Sequence, residues 1–190
     1  MENKVQFGLR NVHYWPVTYD NLTDAIAYGE VKRWPGAVSL VLDPAGDPVE
    51  FKADDVTYYY NQNNQGYTGT LVSALVPDEF RVAHLGEEVD ETDQVQYETS
   101  NAQSLPFALA FEVQGDKNGK RYIYYSCNAS RPSMSAEASD TGEPQTQELS
   151  FSAGPRSSDY MIKANTLPGS SKFADWFTTP WEPSSPILGA

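Results

Sequence analysis

Alternating apolar and polar positions run through most of this chain. Val5, Phe7 and Leu9 alternate with Gln6, Gly8 and Arg10, the period-two pattern of a strand buried on one face. The run from Gly36 to Asp43 repeats it with Val38, Leu40 and Leu42 on one side, and Pro44-Ala-Gly46 then breaks it. Val49 to Tyr60 reads as one long strand bulged at Asp54-Asp55. Asn61 to Gly66 reads as a turn and Tyr67 to Val76 as the returning strand, which predicts a hairpin. A second hairpin is predicted from Phe107, Leu109, Phe111 and Val113, a Gln114–Gly119 turn, and a return over Arg121 to Asn128. Shorter strands are expected at Gln147–Ala153 and Ser158–Ala164.

Helical signals are few. Pro77 to Gly86 has proline and two acids in its first turn and glycine past its end, which predicts a short helix with Phe80, Ala83 and His84 at helical spacing. Ser171 can cap one amphipathic turn bearing Phe173, Trp176 and Phe177. Seven or more strands with one or two short helices predict a mainly β fold, a β-sandwich or open barrel. A length of 190 residues suits a single domain over 1–190. Within it, 87–104 reads as an acidic projecting loop, 131–144 as a linker, and 179–190 as an extended tail docked by its aromatics.

Charge narrows the functions open to such a domain. The chain has 26 acids against 13 bases, a formal charge of −13. That excess argues against a basic nucleic-acid groove and against binding to an anionic membrane. The first hundred residues carry most of it, and no Lys or Arg stands between Arg81 and Lys117. The longest apolar stretch, Leu105 to Phe111, is far too short to span a bilayer. The start reads Glu2-Asn3-Lys4 and then alternates, so no secretory signal is expected, and the lone Cys127 can make no disulfide within the chain. Synthesis in a reducing cytosol is expected.

The search for chemistry yields no catalytic constellation. Two histidines and one cysteine are a poor supply of metal ligands, and no HxH, HExxH or CxxC spacing occurs. His84 reads as a packed side chain and Cys127 as a small core residue. Asp54-Asp55 and Glu87-Glu88 are neighbours whose side chains diverge on a strand, so neither forms an acid/base dyad. No enzymatic activity, cofactor or metal is expected. The tyrosines are more informative. Tyr58-Tyr59-Tyr60 and Tyr122, Tyr124 and Tyr125 put aromatics on both faces of two hairpins, and the face away from a core must meet solvent, a ligand or a neighbour.

Ordered segments along most of the chain carry a family resemblance. They are Lys4-Val-Gln-Phe-Gly-Leu-Arg-Asn-Val-His-Tyr14, Pro35-Gly-Ala-Val-Ser-Leu-Val-Leu-Asp-Pro44, Ala53-Asp-Asp-Val-Thr-Tyr-Tyr59 and Asn64-Gln-Gly-Tyr-Thr-Gly-Thr-Leu71. Further on come Ala74-Leu-Val-Pro-Asp-Glu-Phe-Arg81, Phe107-Ala-Leu-Ala-Phe-Glu-Val-Gln-Gly-Asp116, Tyr124-Tyr-Ser-Cys-Asn-Ala-Ser-Arg-Pro132 and Glu143-Pro-Gln-Thr-Gln-Glu-Leu149. In these the sequence resembles the major tail protein (tail tube protein) family of long-tailed phages, phi-thirteen type. The acidic loop and the C-terminal tail match less well.

The resemblance implies a structural virion protein, made in the bacterial host and located in the tail. Such subunits form hexameric rings that stack into a tube conducting viral DNA. The implied partners are further copies of the chain, a tape measure protein, a tail terminator and distal tail or baseplate proteins. DNA passes without specific binding. Six inner sheets commonly join into a 24-stranded barrel, for which strand spacing and tilt give a backbone diameter of roughly 48 Å, wider than a duplex. An acidic wall would repel phosphates over about 8 Å. Asp43, Glu50, Asp54, Asp55 and Glu112 are the strand-located candidates for that wall. Glu87, Glu88, Asp90, Glu91 and Asp93 are candidates for a ring-stacking loop, and deletion of 87–104 is expected to spare the fold and stop tube growth. The alternative is a carbohydrate-binding β-sandwich of a tail tip or cell surface, with Trp15, Trp34, Trp176 or Trp181 near the sugar.

Overall fold

The computed structural model describes residues 4–20, 25–115, 117–136 and 144–184. Parts of the expected 131–144 linker and 179–190 tail therefore lie outside the described residues. The fold is mainly β with one short helix, as the alternation predicts. The strands are β1 (Gln6–Tyr19), β2 (Ile26–Tyr28), β3 (Lys32–Arg33), β4 (Ala37–Ala45), β5 (Val49–Ala53), β6 (Val56–Asn61), β7 (Gly66–Ser73), β8 (Glu88–Val89), β9 (Gln96–Tyr97), β10 (Phe107–Gly115), β11 (Lys120–Ala129), β12 (Gln147–Gly154) and β13 (Lys163–Thr166). Helix α1 (Asp78–Phe80) runs into a wider π-wound turn over Arg81–Leu85 and ends at Gly86, whose φ of 76° is the left-handed cap that favours glycine.

A nine-stranded antiparallel sheet dominates, in the order β2-β1-β10-β11-β12-β7-β4, with β3 on β1 and β13 on β11. It curls until β1 approaches β4, and the two strands meet across an unbonded seam lined by Phe7, Leu9, Val38, Leu40, Leu42, Phe111 and Val113. The result is an open barrel. Inside it Tyr14, Trp34, Leu71, Phe80, Phe107, Leu109, Tyr124, Leu149 and Phe151 pack as one core. The helix plugs one end: Phe80 and His84 meet Tyr14 and Phe107 in edge and tilted ring contacts at 5.0–5.6 Å.

The outer face of the sheet divides in two at β11. On the β1–β10 side it is apolar, and the chain's own C-terminal residues cover it. Trp15, Ala108, Ala110, Ile123 and Tyr125 lie beneath Trp176, Phe177 and Trp181. The Arg156 guanidinium fastens this cover, paired with Asp159 and Glu182 at 2.6 Å and bonded to the Tyr28 hydroxyl at 2.9 Å. Successive residues of β11 face opposite sides, so Tyr124 enters the barrel and Tyr125 points outward. Both are buried, so this tyrosine run is used up within the subunit.

Three expectations are corrected here. Val49–Tyr60 is not one bulged strand. Asp54 and Asp55 both adopt positive φ, 52° and 62°, and turn the chain back so that β5 pairs with β6. That is the twist-matched geometry of a two-residue hairpin loop. In consequence β7 pairs with β4 and β12 instead. A register shift between Ala37 and Ser39 puts Ala37 against the core beside Leu40 and Leu42 and leaves Val38 exposed at the seam. The last strand begins at Lys163, because Tyr160, at φ 57°, closes a turn inside the expected Ser158–Ala164 segment.

Candidate assembly surfaces

Beyond Ala45 and Gly66, where the β4–β7 pairing ends, the chain leaves the sheet and returns through the β5–β6 ribbon. The base of the ribbon is pinned by Gln65 N–H donating to Ala45 O at 3.0 Å. Asn64 Oδ1 accepts from Gly66 N–H at 3.2 Å. Gly46, at φ 123°, passes so close to the Asn63 carbonyl that no Cβ would fit. Nearly every residue of the ribbon is exposed. Val49, Phe51, Val56, Tyr58, Tyr59 and Tyr60 are each more than half exposed, Tyr58 at 76%. Six apolar side chains on a two-stranded ribbon are an unusual load to leave in water.

At the opposite end of β4–β7 lies a groove of about 820 Å³ lined by Pro35, Leu75, Val76, Pro77, Met134 and Gln147, with Asp78, Arg81 and Gln96 at its polar edge. Leu75 and Met134 are strongly exposed, at 67% and 88%. Arg81 is loosely held, 3.4 Å from Glu87 and 3.3 Å from the Gln147 amide oxygen.

The third surface is the bare half of the outer sheet face. Ser39, Val41 and Asp43 of β4 lie beside Thr68, Thr70 and Val72 of β7, then Glu148, Ser150 and Ser152 of β12, then Asn128 and Ser130. None of these outward positions carries Lys or Arg. This face is polar, hydroxyl-rich and faintly acidic.

The predicted carboxylates are dispersed over these surfaces. Asp43 lies on the bare face and is exposed. Glu50 lies on the ribbon, and Asp54 and Asp55 form its turn rather than a strand. Glu112 is half-buried and paired with Arg121 at 2.8 Å, whose guanidinium stacks on Phe173 and Phe177. Within 87–104, Glu87 is half-buried and accepts from Gln96 at 2.6 Å, while Glu88 accepts from the Tyr97 hydroxyl at 2.6 Å. Asp90 accepts the backbone N–H groups of Asp93 and Thr92, which hold its carboxyl below the usual range. Glu91 and Asp93 are exposed. The groove was not foreseen: Leu75 lies within the run read as the end of a strand, and Met134 stands alone between two serines and carries no periodic signal.

No group of three or more His, Cys, Asp or Glu side chains suited to a metal occurs among the described residues. Nor does any described helix have the length and apolarity to cross a membrane. Trp15, Trp34 and Trp176 are core residues, which leaves half-buried Trp181 as the one of the four able to meet a sugar.

No protein-family model matches the chain, and no curated protein sequence matches it. Among solved structures it is similar to the sheath/tube terminator of an extracellular contractile injection system in its extended state. Identity there is 10%, the match covers 81% of this chain and 92% of that one, and the TM-score is 0.46. It is also similar to the tube-terminating cap of the anti-feeding prophage, at 11% identity over 87% of this chain and 95% of that one, with a TM-score of 0.47.

Proposed function

We propose that the protein is a non-enzymatic phage tail tube subunit, of the major tail protein kind, that assembles into stacked hexameric rings around a channel for viral DNA. The observation that carries the reading is the bare outer face of β4, β7, β12 and the end of β11. It is a polar sheet surface whose outward positions carry no cation, bordered by β4, which among the described strands is hydrogen-bonded only to β7 and faces β1 across the seam. Four strands per copy, taken six times, give the strand number that the sequence resemblance implies for the barrel. A strand edge left open in one subunit invites pairing with the next, and closure around an axis removes that liability.

Facing a channel, this surface would suit a moving polyanion. Serine, threonine and asparagine offer no fixed positive charge for phosphates to condense on, so no counterion-release sites form along the path. On this reading Asp43 is the lumen carboxylate, and Glu112, neutralised by Arg121, contributes little. The 87–104 segment, with Glu87, Glu88, Asp90, Glu91 and Asp93, belongs to the contact between rings. Tape measure, terminator and distal tail proteins would then be its partners in the virion.

Negative-stain imaging of the concentrated protein tests this reading. Hollow filaments or six-fold rings are expected, without added glycan. A particle that stays monomeric at high concentration, also when seeded with a tail-tip complex, would overturn it.

A further inference from the structure

The geometry points to a saccharide-binding cleft on the C-terminal cover, one that takes a neutral pyranose against Trp181. It is a second site on the single subunit and stands independently of the assembly reading. The cleft holds about 510 Å³, within the roughly 300–1,000 Å³ span of small-ligand sites. Trp176 and Trp181 form its apolar floor, the first buried and the second half-buried, so Trp181 keeps surface for a ligand. The floor is set before any ligand arrives. Trp176 Nε1 donates to Tyr122 O at 3.3 Å, and Trp181 O accepts from the Tyr125 hydroxyl at 2.7 Å. Both terminal nitrogens of Arg156 hold the adjoining Glu182 carboxylate at 2.6 Å. With the floor tied to the sheet beneath it, little ordering is left for a ligand to impose.

The rim selects the chemistry of the ligand. Lys172, Asp175, Thr178 and Thr179 stand around the floor, all exposed, on a turn that Thr178 N–H closes by donating to Asp175 O at 2.9 Å. None of their side chains has a hydrogen-bond or ion-pair partner among the described residues. They offer an ammonium, a carboxylate and two hydroxyls, so donors and acceptors are both at hand. Lys172 opposes a cation and Asp175 opposes an anion, in a chain whose formal charge of −13 already repels anions. A wholly apolar ligand would strip water from the rim and return no hydrogen bond. A pyranose suits both parts. Its C–H face can lie on the Trp181 indole, a ring fitted to partners apolar on one side and wet on the other. Its hydroxyls both donate and accept, as this rim requires.

Tryptophan fluorescence of the full chain tests the site, because Trp15, Trp34 and Trp176 are buried and Trp181 is left to report. The probes are methyl glucoside, methyl galactoside, N-acetylglucosamine and its trisaccharide, with glycerol as the control for bulk solvent. At least one sugar is expected to give a saturable change with a millimolar half-point, and glycerol none. The rim variant Asp175→Ala/Thr178→Val alters exposed side chains that do not anchor the cover, so its thermal midpoint should stay unchanged. It is expected to raise the half-point about tenfold, the loss of roughly one hydrogen bond. Trp181→Phe keeps an aromatic floor and is expected to bind in calorimetry while losing the fluorescence response. No saturable response to any of these sugars would overturn the site. So would a response that the rim variant or Trp181→Phe leaves intact, since the sugar would then lie elsewhere. The tube reading fails separately. A wild type that binds sugar and never assembles would sink the tube and keep the site, whereas tubes without sugar binding would do the reverse.

Discussion

Arg156 and Glu182 meet at 2.6 Å, with the guanidinium almost wholly buried and the carboxylate half exposed. The pair closes the C-terminal cover over Tyr125, whose hydroxyl donates to Trp181 O at 2.7 Å while its ring lies 4.8 Å from the guanidinium. Arg156 also serves Asp159 and Tyr28, so removing it strands several partners at once. Arg156→Met is expected to cost about 3 kcal/mol in urea unfolding. Glu182→Gln, at a solvent-screened position, is expected to cost about 1 kcal/mol or less. Both should speed tryptic cleavage at exposed Lys172 as the cover loosens. Arg156 also holds the Asp159 carboxyl below its usual range. That contribution is present above about pH 4 and is lost as pH falls through the folded value.

His84 predicts a second pH dependence of opposite chemical origin. Its Nδ1 lies 3.2 Å from the Leu105 carbonyl, so Nδ1 carries the proton and Nε2 is an acceptor. Nε2 is buried among rings without a hydrogen-bond partner. Burial pushes the pKa below 6.5, outweighing the opposing pull of the Leu105 and Pro106 carbonyls, and the charge on Lys32 adds to the fall. Below about pH 6.5 the unfolded chain binds a proton that the folded chain refuses, so stability must drop as pH falls. The slope for one such group approaches about 1.4 kcal/mol per pH unit. Urea titrations at pH 7.5 and 5.5 should show the loss. His84→Gln, which keeps a donor for Leu105, should flatten it in part, since half-buried His13 is shifted the same way.

The sequence was most legible where alternation met punctuation. The β10–β11 hairpin, β12 and the helix closed by Gly86 all lie where the pattern puts them. Reading failed where one residue's conformation decided the path. Asp54-Asp55 carries no glycine, so a turn with two positive φ values looked like a strand irregularity. Pro16 and the positive φ of Asn11 hid the continuation of β1 to Tyr19, although Pro16 still offers its carbonyl to Gly29 N–H at 2.8 Å. The two tyrosine runs looked alike and fared differently. Tyr125 is covered by chain some fifty residues downstream, whereas Tyr58–Tyr60 are each left more than half exposed. Local pattern cannot tell these apart, because the cover is a long-range contact.

Cys127 should be inert until the barrel opens. It is fully buried between β10 and β12, and burial pushes its thiol pKa well up, so almost no thiolate exists at neutral pH. A disulfide reagent in excess is expected to label less than a tenth of native chains in an hour and all of them in denaturant. Rapid labelling of the native protein would mean that the β10–β11–β12 layer breathes. The same inertness makes the wild-type thiol a silent background for engineered cysteines on the ribbon and groove.

Gly69 gives the sharpest test of barrel packing. It stands across from Phe151 in the β7–β12 register, and the far end of the phenyl ring occupies the place of the missing side chain. An added Cβ would sit 2.7 Å from Phe151 Cε2, well inside contact distance, although the backbone itself would tolerate alanine. Gly69→Ala is therefore expected to destabilise by about 1–3 kcal/mol through overpacking. Phe151→Leu alone should also destabilise, by leaving a void beside Phe107, whose ring centroid is 6.1 Å away. Because the two changes occupy the same space, the double variant should be more stable than the sum of the single losses allows, by about 1 kcal/mol. Strict additivity in urea unfolding would mean that the ring does not rest on Gly69. The inner wall of the barrel would then be packed by other contacts than this pair.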